Sequence, residues 1–202
     1  MALHGINSGN EGGEILDRIQ YDAKAGKWHR VTRSQASSGE WISDMHELDK
    51  GDMFLMDLAG IEVGWIAFAS TGPDFQMVPN GTAVPSRPSE NHKSGFRVRV
   101  LLPKEEQART FASTARSVIG VVDELHTKAT GEAPAGHVAV VKIAGTRVIE
   151  TKGKMGTQRN YAPLLDIVKY VPRPPQLGAA PATAAPQAAT ATAKDINDEV
   201  PF

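Results

Sequence analysis

One run near the C-terminus limits how much of this chain can fold. Between residues 174 and 193 the chain consists mainly of Ala, Pro, Thr and Gln, without a charged residue or hydrophobic periodicity. Such a run buries too little apolar surface to offset its ordering entropy, and Pro181 and Pro186 interrupt any alanine helix. Residues 174–194 are therefore predicted to be a disordered linker, and residues 14–173 to form the folded domain.

The rest of the composition is that of one ordinary soluble domain. Of the 202 residues 41% are hydrophobic, and there is no cysteine, which excludes disulfides, thiolate zinc sites and cysteine nucleophiles. Residues 1–13 are polar and glycine-rich, without the pattern of a secretory signal, and are predicted to be flexible. No apolar run approaches the ~18 residues of a membrane span. These features predict a cytoplasmic protein with no membrane contact.

Charge is distributed unevenly along the chain. Residues 34–74 hold eight acids and one base, whereas residues 87–173 hold fifteen Lys or Arg and eight acids. A basic surface attracts polyanions, of which nucleic acid is the commonest. A solvated basic face would give the same distribution, so charge alone leaves both interpretations open.

Most of the folded part has the pattern of strands. Residues 15–22 and 27–33 predict one long strand or a hairpin broken at Ala25-Gly26, and residues 52–59 and 61–69 predict a hairpin around Gly60. Residues 72–95 are predicted to be a long mobile loop. In residues 96–102 the apolar side chains alternate with Arg97 and Arg99, which indicates a strand with one buried face.

One helix and two more strands complete the predicted order. Pro103 suits the first turn of a helix, apolar residues from Phe111 to Leu125 recur at helical spacing, and Gly131 suits its end. Residues 137–150 and 161–171 are predicted strands joined by a polar loop at residues 151–160. The fold class is therefore mainly β. The order fits a five-stranded OB-fold barrel with its helix between the third and fourth strands. An unrelated α+β sheet with a covering helix would give the same order.

The most specific motif is an acidic segment that ends in Pro-Phe. Its characteristic residues are Asp195, Asp198, Glu199, Val200, Pro201 and Phe202. The phenyl ring can enter an apolar pocket while the α-carboxylate pairs with an arginine at its rim. This segment resembles the C-terminal tip of bacterial and phage single-stranded-DNA-binding proteins.

The resemblance implies a function for each part of the chain. It implies that the tip recruits replication, recombination or repair proteins and that the domain binds single-stranded DNA in the cytoplasm of a bacterium or a phage-infected host. The usual bacterial N-terminal sequence is absent and the domain is long for the family. These departures suggest a divergent phage-encoded relative, and a monomer or homodimer rather than the family's tetramer.

Basic and aromatic residues are the candidate contacts with DNA, because such proteins combine a basic groove with rings on which bases stack. The candidates are Trp28, Arg30, Arg33, Arg97, Arg99, Lys152, Lys154, Arg159 and Tyr161. A core position for Trp28 and a solvated face for Arg97 and Arg99 are the alternatives. Trp65 and Phe68 lie in an apolar run and are predicted to be core.

Nothing in the sequence points to catalysis. The acids between residues 44 and 57 lack an EF-hand pattern, and the six histidines lack zinc spacing. We therefore expect neither enzymatic activity nor a cofactor or metal. Three alternatives stay open: a phage strand-annealing protein, a nuclease with a partner-binding tail, and an adaptor that binds only proteins.

Overall fold

The computed structural model describes residues 17–35, 37–39, 41–69, 72–153 and 156–178. The fold is mainly β with one helix, as predicted. The strands are β1 Arg18–Asp22, β2 Lys27–Gln35, β3 Trp41–Leu48, β4 Met53–Met56, β5 Glu62–Ala69, β6 Gly72–Pro79, β7 Lys93–Leu101, β8 Arg109–Ser113, β9 His137–Gly153 and β10 Gly156–Pro172. The helix α1 is Arg116–Glu132, between β8 and β9, and the described residues contain no helix long and apolar enough to cross a membrane.

The ten strands form one mixed sheet, whereas the sequence predicted a barrel of five. The hydrogen-bonded order is β10-β9-β4-β7-β8-β1-β2-β3, and the hairpin β5–β6 branches from β7. The pair β1–β8 is parallel, and the other pairs are antiparallel. The backbone N–H of Tyr161 in β10 donates to the carbonyl of Ala23, after β1, at 2.7 Å. This bond links β10 to the residue after β1, although the two strands are far apart in the hydrogen-bonded order. Both strands contribute residues to the same hydrophobic core.

Alternation along the strands builds that core. Phe96, Val98 and Val100 of β7 are buried, as the sequence predicted for this strand. Trp28 of β2 packs against the Phe111 ring of β8, with ring centroids 5.1 Å apart. The helix α1 adds further apolar residues to the same cluster, namely Val118, Val122 and Leu125.

The predicted start of the helix is wrong. The chain forms β8 where the sequence predicted helical turns, and Phe111 is 1% exposed within that strand. Phe111 and Val118 match a helical spacing, but Arg109, Phe111 and Ser113 also alternate as a strand does. Pairing with β7 on one edge and β1 on the other satisfies the backbone of β8 and decides in favour of the strand.

Two predicted connections are also wrong. The strands on either side of Gly60 do not form a hairpin, because β4 and β5 both run antiparallel to β7 and lie end to end along it. The predicted loop at residues 72–95 contains β6 and the start of β7, which leaves a loop of residues 80–92. Near the other end of the chain, β9 and β10 extend into the predicted loop at residues 151–160.

A short segment after β10 packs back onto the sheet. Residues 174–178, which the composition placed in the linker, include a 3-10 turn whose Leu177 is fully buried beside Leu101 and Val138. The Arg173 guanidinium donates to both carboxylate oxygens of Asp57, at 2.5 and 2.6 Å. These contacts hold residues 174–178 against the sheet.

Candidate nucleic-acid interface

An open groove of about 450 Å³ lies between the outer face of β1 and β8 and the end of the β5–β6 hairpin. We call it the β1 groove. The side chains that give it its chemistry are Arg18, Gln20, Arg33, Phe68, Phe75 and Thr110. Of these, only Arg33 was a predicted DNA contact.

Two guanidinium groups occupy the β1 groove because of strand pairing. Arg18 pairs with Val31 across β1 and β2, and Arg33 follows two residues later on the same face of β2. Arg18 donates only weakly to Gln20 Oε1, at 3.4 Å, and Arg33 Nε donates to Ser43 Oγ at 3.2 Å. Within the described part of the chain, neither guanidinium forms an ion pair with a carboxylate.

The electrostatics of this pair favour an anion. Burial, and then the charge of Arg33, lower the pKa of Arg18 below its usual value. Both causes disfavour the charged form of Arg18, which is partly buried beside a second cation. A phosphate between the two guanidiniums would supply a counter-charge through charge-assisted hydrogen bonds.

An exposed aromatic ring stands at the edge of the same groove. Phe68 is 65% exposed, so its predicted place in the core is wrong. The reason is the register: β5 pairs with β7 only as far as Ile66, so Phe68 lies where the β5–β6 hairpin projects past the start of β7. Phe75 of β6 also lines the groove, and the Arg97 guanidinium lies 5.2 Å from the centroid of its ring.

The predicted contacts on β2 lie in different environments. Trp28 is 2% exposed and lies between Tyr21 and Phe111, which favours the core alternative and leaves its ring unable to stack on a base. Arg30 faces Glu105, with Nη1 3.5 Å from Oε1. Arg33 is therefore the member of this set that reaches the groove.

The two predicted contacts on β7 lie on its outward face and already have partners. Arg97 Nε donates to Glu62 Oε2 at 2.6 Å. Arg99 Nη1 donates to the carbonyl of Leu177 at 3.3 Å, beneath the C-terminal segment. Arg97 adjoins the groove through Phe75, but its charge is largely balanced.

Three of the remaining predicted contacts lie on β9 and β10, namely Lys152, Arg159 and Tyr161. Arg159 is exposed, and its guanidinium lies 5.6 Å from the centroid of the Tyr161 ring. This ring packs on Gly26 of the β1–β2 turn, where an added Cβ would be 3.0 Å from its Cγ. Lys152 belongs to β9, and Lys154 lies outside the described residues. The tip, with Asp195, Asp198, Glu199, Val200, Pro201 and Phe202, also lies outside them.

Sequence reasoning missed Arg18, Gln20 and Phe75. Arg18 and Gln20 lie on β1 and Phe75 lies on β6, far along the chain, so only the folded sheet with its β5–β6 hairpin brings them to one groove. Of these residues, only Arg18 could have been predicted from the sequence. It precedes Ile19, and neighbouring side chains of a strand point to opposite faces, so a buried Ile19 places Arg18 on the outer face.

One histidine cluster resembles catalytic chemistry but has a structural explanation. His92 Nδ1 lies 2.8 Å from Ser89 Oγ, and Nε2 lies 3.1 Å from Asp74 Oδ2. Ser89 is three residues away in the same turn, and Arg87 Nε donates to the His92 carbonyl at 2.7 Å. These bonds tie the loop of residues 80–92 to β6. Among the described residues, no group of three or more His, Asp or Glu could hold a metal ion.

Comparisons of the chain with protein-family models, with curated proteins and with solved structures found no match.

Proposed function

We propose that this protein binds single-stranded DNA without sequence preference and protects it during replication, recombination and repair. The observation that carries the proposal is the exposed Phe68 ring beside Arg18 and Arg33, two guanidiniums without carboxylate partners in the described structure. Basic grooves that follow the backbone, combined with rings on which bases stack, are the usual means of holding single strands.

The chemistry of each group assigns it a contact. Arg18 and Arg33 bind phosphates and release counterions, so affinity falls as salt concentration rises. Phe68 offers a flat apolar surface to a base, which any of the four bases can cover. Gln20 and Thr110 add hydrogen bonds along the groove. Contacts to phosphates and to the faces of bases carry no sequence information.

The fold supports the same proposal. Five of the strands, β4, β7, β8, β9 and β10, have the chain order of an OB-fold, with α1 between the third and fourth of them. OB-folds bind nucleic acid on the face of their second and third strands and through the loop between the last two. Here these correspond to β7–β8, beside which the β1 groove lies, and to the hairpin that carries Arg159 and Tyr161. We propose that the other five strands are additions to such a domain.

Binding to labelled DNA tests the proposal directly. Fluorescence anisotropy would compare a single strand of about 40 nucleotides with a duplex of equal length at low salt. We expect the single strand to bind much more tightly, and the double variant R18Q/R33Q to lose most of that affinity. The matched control is K50Q, because Lys50 is an exposed base in the turn between β3 and β4. Equal binding of duplex and single strand, or full affinity in R18Q/R33Q, would contradict the proposal.

Recruitment of partner proteins is the second part of the proposal and rests on the sequence of residues 195–202. Deleting these residues is expected to abolish co-purification of replication or repair enzymes. It should leave the affinity for single-stranded DNA unchanged or higher, because an acidic segment competes with DNA for basic side chains. A clear loss of DNA affinity after the deletion would contradict that competition.

A further inference from the structure

No strand among the described residues pairs with the outer edge of β3. This strand is the last in the order of the sheet, and within the described ranges it pairs with β2 alone. Its residues 42–47 are all exposed, and Ile42 and Met45 are each 53% exposed. An edge strand presents a row of free N–H and C=O groups, which proteins often protect with charged side chains, especially Lys, or with Pro. The strand β3 contains no Lys or Pro, and its charged side chains are the acids Asp44 and Glu47.

We propose that two copies of this chain pair through β3, antiparallel and edge to edge, to form a homodimer. The register we propose places Met45 opposite Met45 of the second copy. Asp44 then lies opposite His46 of the second copy, and Ile42 opposite Leu48. Directly opposite side chains have Cβ atoms about 4.5–5.5 Å apart, close enough for apolar contacts and for an acid–imidazole pair.

Neighbouring registers are poorer. A pairing centred on Asp44 places the two Asp44 carboxylates opposite each other, and like charges at that distance are destabilising. A pairing centred on His46 places Met45 opposite Glu47 and Asp44 opposite Leu48. Of these three registers, only the one centred on Met45 places Ile42 opposite Leu48 and Asp44 opposite His46, so that apolar side chains face each other and an acid faces an imidazole. Glu47 is already bound to Lys27 Nζ at 2.8 Å in its own copy and faces only Ser43 across the new edge.

The dimer would place both β1 grooves on one side of the extended sheet. Met45 pairs with Val31 and Ser43 pairs with Arg33, so Met45 and Arg33 lie on the same face. Antiparallel pairing preserves that face across the dimer axis. The two Arg33 residues are then separated by three strand spacings sideways and four residues along the strands, roughly 20 Å in a flat sheet. This consequence rests on the proposed function: one DNA strand could cross both grooves.

A single-cysteine variant tests the dimer without DNA. The chain has no native cysteine, so M45C carries one thiol, and the proposed register brings it beside its equivalent in the second copy. We expect mild oxidation of full-length M45C to give a covalent dimer. The control is M53C, because Met53 is also an exposed methionine on a strand, at 43%, but lies on β4 inside the sheet. Cross-linking of M45C no faster than that of M53C would overturn the proposal.

A charge exchange tests the register. D44H would set imidazole against imidazole, and H46D would set carboxylate against carboxylate. Each single variant should weaken self-association several-fold in analytical ultracentrifugation, whereas the double variant D44H/H46D restores both pairs and should recover it. A double variant no better than the singles would overturn this register. A wild-type protein that stays monomeric at every concentration would overturn the dimer itself.

The outcome for the dimer is separate from the outcome for DNA. Cross-linking and sedimentation are measured on the free protein, so a dimer that fails to bind DNA would contradict only the proposed function. A protein that binds DNA as a monomer, with M45C unlinked, would contradict only the dimer. Circular dichroism of reduced M45C, expected to match the wild type, shows that the variant is folded.

Discussion

Arginine has two different settings in this molecule. At the C-terminal anchor, Arg173 forms a double hydrogen bond with Asp57, whose side chain is 3% exposed, and also donates to the carbonyl of Leu177 at 3.0 Å. In the β1 groove, Arg18 faces Arg33, and its one hydrogen-bond partner within the described ranges is Gln20, at 3.4 Å. The first guanidinium has all the partners needed to hold the fold together. The second has no carboxylate partner in the described structure, which is why we propose it as a phosphate contact.

Neighbouring polar residues of one strand can differ in the same way. Arg109 faces inward, where its side chain is 8% exposed and donates to Glu105 at 2.6 and 2.9 Å. Thr110, the next residue, faces outward and lines the β1 groove. The face of the strand, rather than the residue type, therefore decides whether a polar side chain supports the fold or meets the solvent.

The largest expected effect comes from breaking the buried pair. Replacing Asp57 with Ala removes the buried carboxylate that accepts two short hydrogen bonds from Arg173, and a loss of about 3–5 kcal/mol in the free energy of unfolding is expected. Urea denaturation followed by circular dichroism would measure it. The control is R18Q, which should not lower the stability. A loss below about 1 kcal/mol in D57A would show that the anchor adds little to the fold.

The next largest effect concerns Phe68. F68A should weaken binding of single-stranded DNA by about 1–3 kcal/mol, or roughly 5- to 150-fold, because one stacked ring contributes that much. The stability should hardly change, since the ring is 65% exposed. F68W should keep the affinity because it keeps an aromatic surface. If F68A binds as tightly as the wild type, bases do not stack at this position.

The sequence predicts part of the fold well, because local patterns set it. The turn at Ala25-Gly26 is formed, with Gly26 at φ 70°, and the alternation of β7 is confirmed. Failures occur where pairing between distant segments overrides a local pattern. The chain around Phe111 fits a helix by spacing but becomes β8 because β7 and β1 lie on either side of it.

The candidate site is less predictable for the same reason. Arg33 was identified from its basic neighbours. Arg18 could not be identified in that way, because only the pairing of β1 with β2 brings it close to Arg33. An apolar run predicted Phe68 to be core, whereas its position past the start of β7 leaves its ring exposed. Trp28 illustrates the opposite case, since its basic neighbours suggested contact with DNA and its ring is buried.

A smaller effect distinguishes Arg18, in the β1 groove, from Arg109, which is buried against Glu105. R18Q should weaken DNA binding and lower the slope of log affinity against log salt by about 1, as the loss of one phosphate contact does. Its stability at neutral pH should be unchanged or higher, because burial and Arg33 disfavour the charged form of Arg18 and lower its pKa. R109Q should lower the stability instead, by removing the donors to Glu105. Destabilisation of R18Q comparable to that of R109Q would remove the distinction.

The smallest effect concerns Tyr21, at the wall of the β1 groove. Within the described structure its buried hydroxyl has no hydrogen-bond partner, and burial, followed by the charge of Asp22, raises the pKa of Tyr21 to about 12. The folded state thus holds the phenolic proton more tightly than the unfolded state, whose pKa is about 10. The contribution of Tyr21 is complete below pH 10 and is lost as the pH rises through about 12.

The variant Y21F isolates this contribution, because the other titrating groups are common to both proteins. At pH 7 its stability should be within about 1 kcal/mol of the wild type, and in favour of the variant, since no hydrogen bond is lost. Above pH 10 the advantage of the variant should grow, which urea midpoints measured between pH 8 and pH 11 would reveal. A wild type that gains on Y21F as the pH rises would mean that the hydroxyl has a partner that favours its ionised form. In that case the wall of the groove near Arg18 would be polar rather than apolar.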